Sequence, residues 1–361
     1  MPTVMLADQV RPGSGKDVLA ELERRLGEAR GAVIAVPGSL RISQAAEDAF
    51  AALIGDWDPM HNDPAWRTMA GDGPIVLGFH TLARIENDLR TCALLAEAAE
   101  AVRTRTAGLG NVRFPSPFPV GATARAEITV TDVTRHGSVL ALTSTHRYGI
   151  DGVPNPVMVA ELHSVLTAAD DDPPAGLPQS LRDQAGEAPT LLRDVPGGKP
   201  VAPSPHHDGA FYDRLAERRG QWLGSTPWTS ISDREAHAFA LLAGDDGARP
   251  GADLRARAHP FLGTCIPPLQ LLALRAYFSP LVGLPVLTDE SMMAFNYGVD
   301  RARWHGSVLA GTRLRDHVQL LDVQARRRGD YLVTTRHLME AEGEDVAALA
   351  ADCKTLYRTS S

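Results

Sequence analysis

A chain of 361 residues can bury the cores of two ordinary domains, and its 44% hydrophobic and 22% charged residues have the balance of a globular protein. The 44 acidic residues outnumber the 36 basic ones, and the resulting net charge of −8 disfavours a general nucleic-acid binder. There is no long apolar run, no signal-peptide core and no CxxC pair among the three cysteines. We therefore expect a cytoplasmic protein without membrane or nucleic-acid partners, metal site or cofactor.

The first half is predicted to contain three helices. The first runs from Ser43 to Ile54, with Ser43 as its N-cap and Gly55 as its stop. A short helix is predicted to open at Asp63, which is followed by a proline suited to a first helical turn. A long helix is expected from about Ile75 to Arg103, because apolar residues recur every three or four positions. Its other face is expected to contact solvent through Arg84, Glu86, Asp88 and Arg90.

A Gly- and Pro-rich passage and a set of strands are predicted to follow this helix. In the first strand Ile128 and Val130 alternate with polar residues, which is the two-residue period of a strand with one face on a core. The predicted strands are Arg125–Thr134, Ser138–Tyr148 and Pro156–Thr167. A long helix followed by antiparallel strands indicates an α+β unit in which the sheet wraps the helix.

The second half repeats the first. Phe50–Asp56 reads almost letter for letter against Phe239–Asp245, and Gly121–Val133 matches Gly311–Val323, at offsets of 189 and 190. Residues 168–207 between the copies are rich in Asp, Pro and Gly, which is typical of a linker. We therefore predict an N-terminal repeat at 1–167, a linker at 168–207 and a C-terminal repeat at 208–361. Two such units side by side would bury their sheet edges against each other.

The clearest motif is Gly55-Asp56-Trp57-Asp58-Pro59-Met60-His61-Asn62-Asp63. An acid and a histidine five residues apart do not face each other on a helix. The glycine and proline of this stretch predict a loop instead, in which Asp56 and His61 can converge on one small molecule such as water.

This motif resembles the signature Gly-Asp-x-Asn-Pro-x-His-x-Asp of the MaoC-like, or (R)-specific enoyl-thioester hydratase, family of hotdog-fold proteins. Asp58 stands where the family has Asn, or Gln in its nodulation-protein-N-like branch. The family's Ile-Ala-His-Gly-Phe/Met-Leu-Thr element appears at residues 75–81, with Leu77 in place of the helix histidine. A third element appears as Gly108 followed by residues 112–121. The resemblance covers roughly residues 40–167 and, more weakly, 228–358.

The resemblance implies a tandem, or double, hotdog that binds an acyl thioester of CoA or acyl carrier protein. Such a protein adds water across the α,β double bond or removes it. By this similarity, His61 would activate water, Asp56 would hold that water and transfer the α-proton, and the Gly78 N–H would contact the thioester oxygen. The residues expected to line the substrate site are Trp57, Asp58, Phe79, His80 and Arg113.

The second repeat is expected to be catalytically silent. Asp245 aligns with Asp56, but Pro250 stands in the position of His61 and Pro268 in that of Gly78. Proline has no N–H to donate. The repeats are expected to pair with each other, and whether the chain also forms a homodimer is left open.

Other interpretations stay open at this level. Gly55 and Asp56 are also typical of a plain helix C-cap, His80 of a packed histidine, Arg113 of a solvent-facing strand residue, and Trp57 of a pocket wall. The scaffold also suits a tailoring dehydratase or cyclase of polyketide or other secondary metabolism, or a non-catalytic acyl-thioester-binding subunit. Neither the acyl chain nor the favoured direction of reaction follows from the sequence.

Overall fold

The structure is a computed structural model, and two antiparallel units of helix and sheet make up most of it. The described residues are 15–68, 71–169, 192, 195–202, 208–245, 264–285 and 292–359.

The first repeat carries its helices ahead of its four long strands. Its elements are α1 (Gly15–Glu28), β1 (Val33–Ala35), β2 (Leu40–Arg41), α2 (Gln44–Ile54), α3 (Pro59–Asn62), β3 (Arg67–Thr68), β4 (Gly71–Asp72), α4 (Gly78–Ala83), α5 (Ile85–Thr91), β5 (Val102–Arg113), β6 (Thr123–His136), β7 (Val139–Ile150) and β8 (Met158–Ala168).

The second repeat has a similar order of elements, but its described residues contain no counterparts of α3, β3 and β4. Its elements are α6 (Gly209–Ala216), β9 (Trp222–Ser225), β10 (Thr229–Ser230), α7 (Asp233–Leu242), α8 (Pro268–Ala273), α9 (Arg275–Leu281), β11 (Met292–Trp304), β12 (Arg313–Ala325), β13 (Asp330–Ala341) and β14 (Leu349–Thr359). Most of the predicted linker lies outside the described residues, so the predicted repeat boundaries stay predictions.

All described strands except β3 and β4 join one antiparallel sheet. The long strands follow the order β6-β7-β8-β5 in the first repeat and continue as β11-β14-β13-β12 in the second. The two units therefore meet edge to edge at β5 and β11, and the expected α+β repeats with paired sheet edges are confirmed.

The seam between β5 and β11 shows how closely the two repeats correspond. Arg113 lies opposite Gly298, and Arg303 lies opposite Gly108, so both pairs obey the 190-residue offset. A Cβ on Gly298, whose φ is 152°, would collide with the carbonyl oxygen of Val112, and one on Gly108 would collide with the Arg303 side chain. Only glycine fits at either place, which explains why both copies keep it.

The helices α2 and α7 pack against each other where the repeats face one another. The rings of Phe50 and Phe239, the matching phenylalanines of the two copies, have centroids 5.1 Å apart, and both side chains are fully buried. They belong to one apolar core that draws side chains from both repeats. Within the described residues, no helix is both long and apolar enough to span a membrane.

The predicted long helix is wrong in its extent. It is divided at Arg84 into α4 and α5, ends at Cys92, whose backbone is extended, and gives way to β5 from Val102. The predicted helix overlaps β5 only at residues 102 and 103, which pair with β8 and so lie in the sheet. The predicted solvent face is also wrong at Asp88, which is buried and accepts a hydrogen bond from the hydroxyl of Tyr148.

The predicted short helix at Asp63 is wrong in position. The helix is α3, five residues earlier, with Asp58 as its N-cap and Pro59 in its first turn. Both Asp58 and Asp63 precede a proline, so the local signal fits either place. Asp63 ends α3 and accepts instead from the backbone N–H of Ala65 at 2.8 Å, which closes a turn. The predicted Ser43 cap and Gly55 stop of α2 are confirmed.

Candidate active site

Asp56 lies just after α2, at a sharp change of chain direction. Gly55 ends the helix with a φ of 69°, and the ring of Tyr277 packs so closely on it that an added Cβ would lie 2.9 Å from the ring. Both the left-handed backbone and the close packing therefore require glycine. Gly55 is therefore the helix C-cap of the plainer interpretation, and this cap also sets the direction in which the chain continues to Asp56. A carboxyl oxygen of Asp56 accepts from the backbone N–H of Asp58 at 3.2 Å.

His61 lies in α3 and is 8% exposed. Its Nδ1 is 2.7 Å from the carbonyl oxygen of Ile75, and because a carbonyl only accepts, Nδ1 carries the proton. The other ring nitrogen, Nε2, is then a lone-pair acceptor, which is the form required of a base for water. The backbone of His61 is held as well, since its carbonyl accepts from the Gln44 side chain at 2.8 Å.

The segment that orients His61 also carries Gly78. Ile75 donates its N–H to Met60, and Val76 donates to Phe118, so residues 75–77 run extended into the start of α4. Gly78 is the first residue of that helix, where N–H groups have no partner within the helix. A Cβ on Gly78 would lie 2.9 Å from the Phe114 ring. One short extended segment therefore sets the spacing between the candidate base and the candidate oxyanion donor.

The environment of Asp56 changes its acidity. Burial of the carboxyl group raises the pKa of Asp56 above its usual range, and the nearby charges of His61 and Arg275 partly oppose this rise. A carboxyl group with a raised pKa holds and releases a proton closer to neutral pH than a solvated acid does. Asp56 is therefore suited to proton transfer, unlike the solvated acid of the plainer interpretation.

The other predicted substrate residues have different surroundings. Asp58 is 2% exposed and caps α3 through the Met60 N–H at 2.9 Å, whereas Trp57 is 59% exposed beside the site. Phe79 is buried under the guanidinium of Arg275. Arg113 is engaged at the seam, where it forms a 2.5 Å ion pair with Asp300. Their roles as substrate contacts stay predictions.

His80 packs against α2 in the apolar core. It is 1% exposed, its Nδ1 lies 2.7 Å from Glu47, and its ring stacks on Phe50 with centroids 4.2 Å apart. Glu47 also accepts the N–H of Leu77 at 2.5 Å, so one buried carboxylate holds the start of α4 and the histidine together. The structure thus favours the packed interpretation of His80.

Sequence reasoning missed two functional candidates, Glu47 and Arg275. Glu47 lies on the buried face of α2 together with Phe50 and Ile54. A carboxylate spaced three and seven residues from these apolar residues was the sequence pattern that could have identified it. Arg275 is a single cation in an otherwise apolar stretch of the second repeat, but its proximity to Asp56 depends on contacts between the repeats.

The matching region of the second repeat is filled differently. Asp245 is 3% exposed and lies 3.3 Å from Arg90 of the first repeat. Pro268 begins α8 as Gly78 begins α4, and its carbonyl accepts from the indole N–H of Trp304 at 2.9 Å. Pro250, the predicted counterpart of His61, lies outside the described residues.

Comparison with known sequences supports the expected resemblance. The MaoC like domain profile matches residues 25–147. Nodulation protein N of Rhizobium meliloti strain 1021 is 30% identical over 134 residues, which are 37% of this chain and 82% of that protein. The 3-hydroxyacyl-thioester dehydratase Z of Mycobacterium tuberculosis strain H37Rv is 28% identical over 144 residues, which are 40% of this chain and 93% of that protein.

Comparison with solved structures extends the likeness over both repeats. A Chloroflexus aurantiacus protein named as a MaoC domain dehydratase superposes with a TM-score of 0.64 at 13% identity, covering 92% of this chain and 96% of that one. A conserved hypothetical protein of Mycobacterium tuberculosis with a double hotdog fold superposes with a TM-score of 0.61 at 16% identity, covering 92% and 98%. At such identities the likeness establishes the fold, and the expected double hotdog is confirmed.

Proposed function

The chain belongs to the MaoC-like dehydratase family, and we propose that it is a hydro-lyase acting on an enoyl or 3-hydroxyacyl thioester of CoA or acyl carrier protein. The observation that carries the proposal is the hydrogen bond from His61 Nδ1 to the Ile75 carbonyl, because it leaves Nε2 as a base beside Asp56. The relatives named as a 3-hydroxyacyl-thioester dehydratase support this class of substrate.

In the hydration direction, the Nε2 atom of His61 takes a proton from water as the water oxygen bonds to the β-carbon. Asp56 holds the same water and delivers a proton to the α-carbon, which its raised pKa favours. The proton on His61 then returns to Asp56, so no net charge is left in the site. Dehydration is the reverse of these steps.

The thioester oxygen gains negative charge while the α-carbon is being protonated or deprotonated. We assign the Gly78 N–H as its hydrogen-bond donor, because this N–H stands at the first position of α4 and on the segment that anchors His61. Phe114 packs against Gly78 and limits the space in which the backbone can move.

The test compares equivalent acids in the two repeats. Asp56→Asn and His61→Ala are each expected to lower kcat/KM on short enoyl thioesters by at least about 100-fold, since each removes a proton-transfer group. Asp245→Asn is the matched control and is expected to keep the activity of the native protein per folded molecule. Initial rates of hydration and thermal unfolding are measured for all variants.

Full activity in Asp56→Asn and His61→Ala would disprove the assignment. If the native protein turned over no thioester while acyl-CoA still raised its Tm, the chain would be the non-catalytic acyl-binding subunit instead.

A further inference from the structure

A buried arginine of the second repeat reaches the active site of the first. Arg275 opens α9 and is 8% exposed. Its two terminal nitrogens donate to the Thr355 hydroxyl at 3.4 Å and to the Asn296 amide oxygen at 3.3 Å, and these two residues are direct cross-strand partners in β14 and β11. The guanidinium carbon lies 5.3 Å from the centroid of the Phe79 ring, next to Gly78. The cation therefore stands beside the proposed thioester position.

Within the part of the chain that the structure describes, this guanidinium forms no ion pair, although its charge acts on the nearby carboxyl group of Asp56. Its Nε is buried without a hydrogen-bond partner, and so is the amide nitrogen of Asn296 beside it. Arginine stays charged in any protein interior, and a buried charge is costly unless an anion compensates it. Two adjacent buried donors without acceptors indicate a place where an acceptor is supplied from outside the described chain.

Several other partly buried arginines are paired with carboxylates. Arg90 lies 3.3 Å from Asp245, and Arg301 and Arg336 both pair with Asp352 within 2.8 Å. Arg105 resembles Arg275 in having a buried nitrogen without a hydrogen-bond partner, but it lies in β5 of the first repeat. Arg275 differs from these paired arginines, because the acid on which its charge acts, Asp56, is the proposed proton-transfer group and forms no ion pair with it among the described residues.

We propose that Arg275 and Asn296 bind a carboxylate carried by the acyl group, so that the substrate is a short acyl thioester with an anionic tail. This inference rests on the proposed function, which places the thioester at Gly78. A carboxylate offers two oxygens to the free donors, and charge-assisted bonds of this kind are the strong ones. An unsubstituted alkyl chain would instead leave the buried donors without any acceptor.

The acyl chain between the two groups is expected to be short. Phe79 directly follows Gly78, and the guanidinium carbon of Arg275 lies over its ring at 5.3 Å from the ring centroid.

The experiment measures binding of saturated CoA thioesters, which cannot be hydrated. Succinyl-CoA is compared with butyryl-CoA, and adipyl-CoA with hexanoyl-CoA, by titration calorimetry at fixed ionic strength. The native protein is expected to bind the carboxylate-bearing member about 30-fold more tightly at one of these lengths, in keeping with a charge-assisted pair. Arg275→Met is expected to abolish that preference, and Asn296→Ala to reduce it.

Arg90→Met is the matched control, because it removes a part-buried arginine from the other pocket and should keep the preference. Arg275→Gln is measured in parallel, so that the result stands if the methionine variant does not fold. A native protein without preference at either length, or a preference that survives both Arg275 variants, would overturn the proposal. Because these ligands do not react, a failure here is separate from a failure of the proposed hydration, which Asp56→Asn tests with enoyl substrates.

Discussion

The two repeats share a backbone at the active-site position but not its chemistry. Leu77, just before α4, has φ −55° and ψ 128°, and Pro267, just before α8, has φ −54° and ψ 133°. The helix therefore begins in the same way in both copies. What differs is that the first copy offers an N–H at Gly78 and the second offers none at Pro268.

The two matching acids, Asp56 and Asp245, also have different surroundings. Asp245 lies beside Arg90, whereas Asp56 has no ion-pair partner among the residues described and its burial raises its pKa. A cleft beside Asp245 is lined partly by Glu86 and Arg90 of the first repeat. The comparison teaches that a duplicated hotdog can keep its fold while one copy pairs its acid with an arginine and places another arginine, Arg275, near the acid of the other copy.

Gly78→Pro tests the comparison most severely, because it gives the first repeat the residue of the second. The backbone before Gly78 already suits a following proline, since its φ and ψ match those of Pro267. Loss of the N–H is expected to lower kcat by about 100- to 1,000-fold, or about 3 to 4 kcal/mol of transition-state stabilisation. Steady-state rates on an enoyl thioester measure it.

The control is Gly78→Ala, which keeps the N–H but meets the Phe114 ring as the proline does. The ratio of kcat between these two variants isolates the N–H from the steric effect. Equal rates for the two variants would exclude this N–H as the oxyanion donor.

Glu47→Ala tests a polar contact that the second repeat has lost. Ala236 and Gln270 stand in the second copy where Glu47 and His80 stand in the first. Removing the buried carboxylate leaves the ring of His80 and the N–H of Leu77 without their acceptor. The free energy of unfolding is expected to fall by about 3 kcal/mol, as measured by urea denaturation.

The double variant Glu47→Ala/His80→Gln gives the first copy the pair found in the second. It is expected to be more stable than Glu47→Ala alone, because the stranded histidine is gone. If His80→Gln lowered the free energy of unfolding as much in the Glu47→Ala variant as in the native protein, the two residues would not be coupled.

His146 tests a difference in pH dependence. Its counterpart His337 has Asp316 at 2.6 Å, but Ala126 stands at the matching place in the first copy, and His146 Nδ1 is buried without a partner. Burial lowers the pKa of His146 from 6.5 to about 3. Between these values the unfolded chain binds a proton that the folded chain does not, so stability falls as the pH drops below about 6.5.

The size of this effect follows from the same linkage. At pH 5 the cost is expected to be about 2 kcal/mol relative to neutral pH, as measured by urea denaturation at both pH values. His146→Gln should lose about that much less on acidification, because glutamine does not titrate. An equal loss in the native protein and His146→Gln would show that another group governs the acid sensitivity.

Much of the molecule was predictable from local patterns. The duplication, the Ser43 cap, the Gly55 stop and the three strands after Gly121 follow from short-range residue preferences, and the structure contains all of them. The strand β5 was not predicted, because its partners β8 and β11 lie far away in the sequence and its glycines are typical of a loop. The cap at Asp58 was missed because Asp63 carries the same local signal.

The sequence by itself determined which copy carries the candidate catalytic residues. Asp56, His61 and Gly78 are in the first copy, and Asp245, Pro250 and Pro268 are their predicted counterparts in the second. Proline carries neither an imidazole nor a backbone N–H. Only the tertiary structure decided which nitrogen of His61 is hydrogen-bonded to the Ile75 carbonyl, that His80 is packed on Phe50, and that Arg275 of the second repeat lies over Phe79 of the first. These features depend on contacts between distant segments, such as Phe79 and Arg275, which are 196 residues apart, and periodicity and caps within one segment do not encode such contacts.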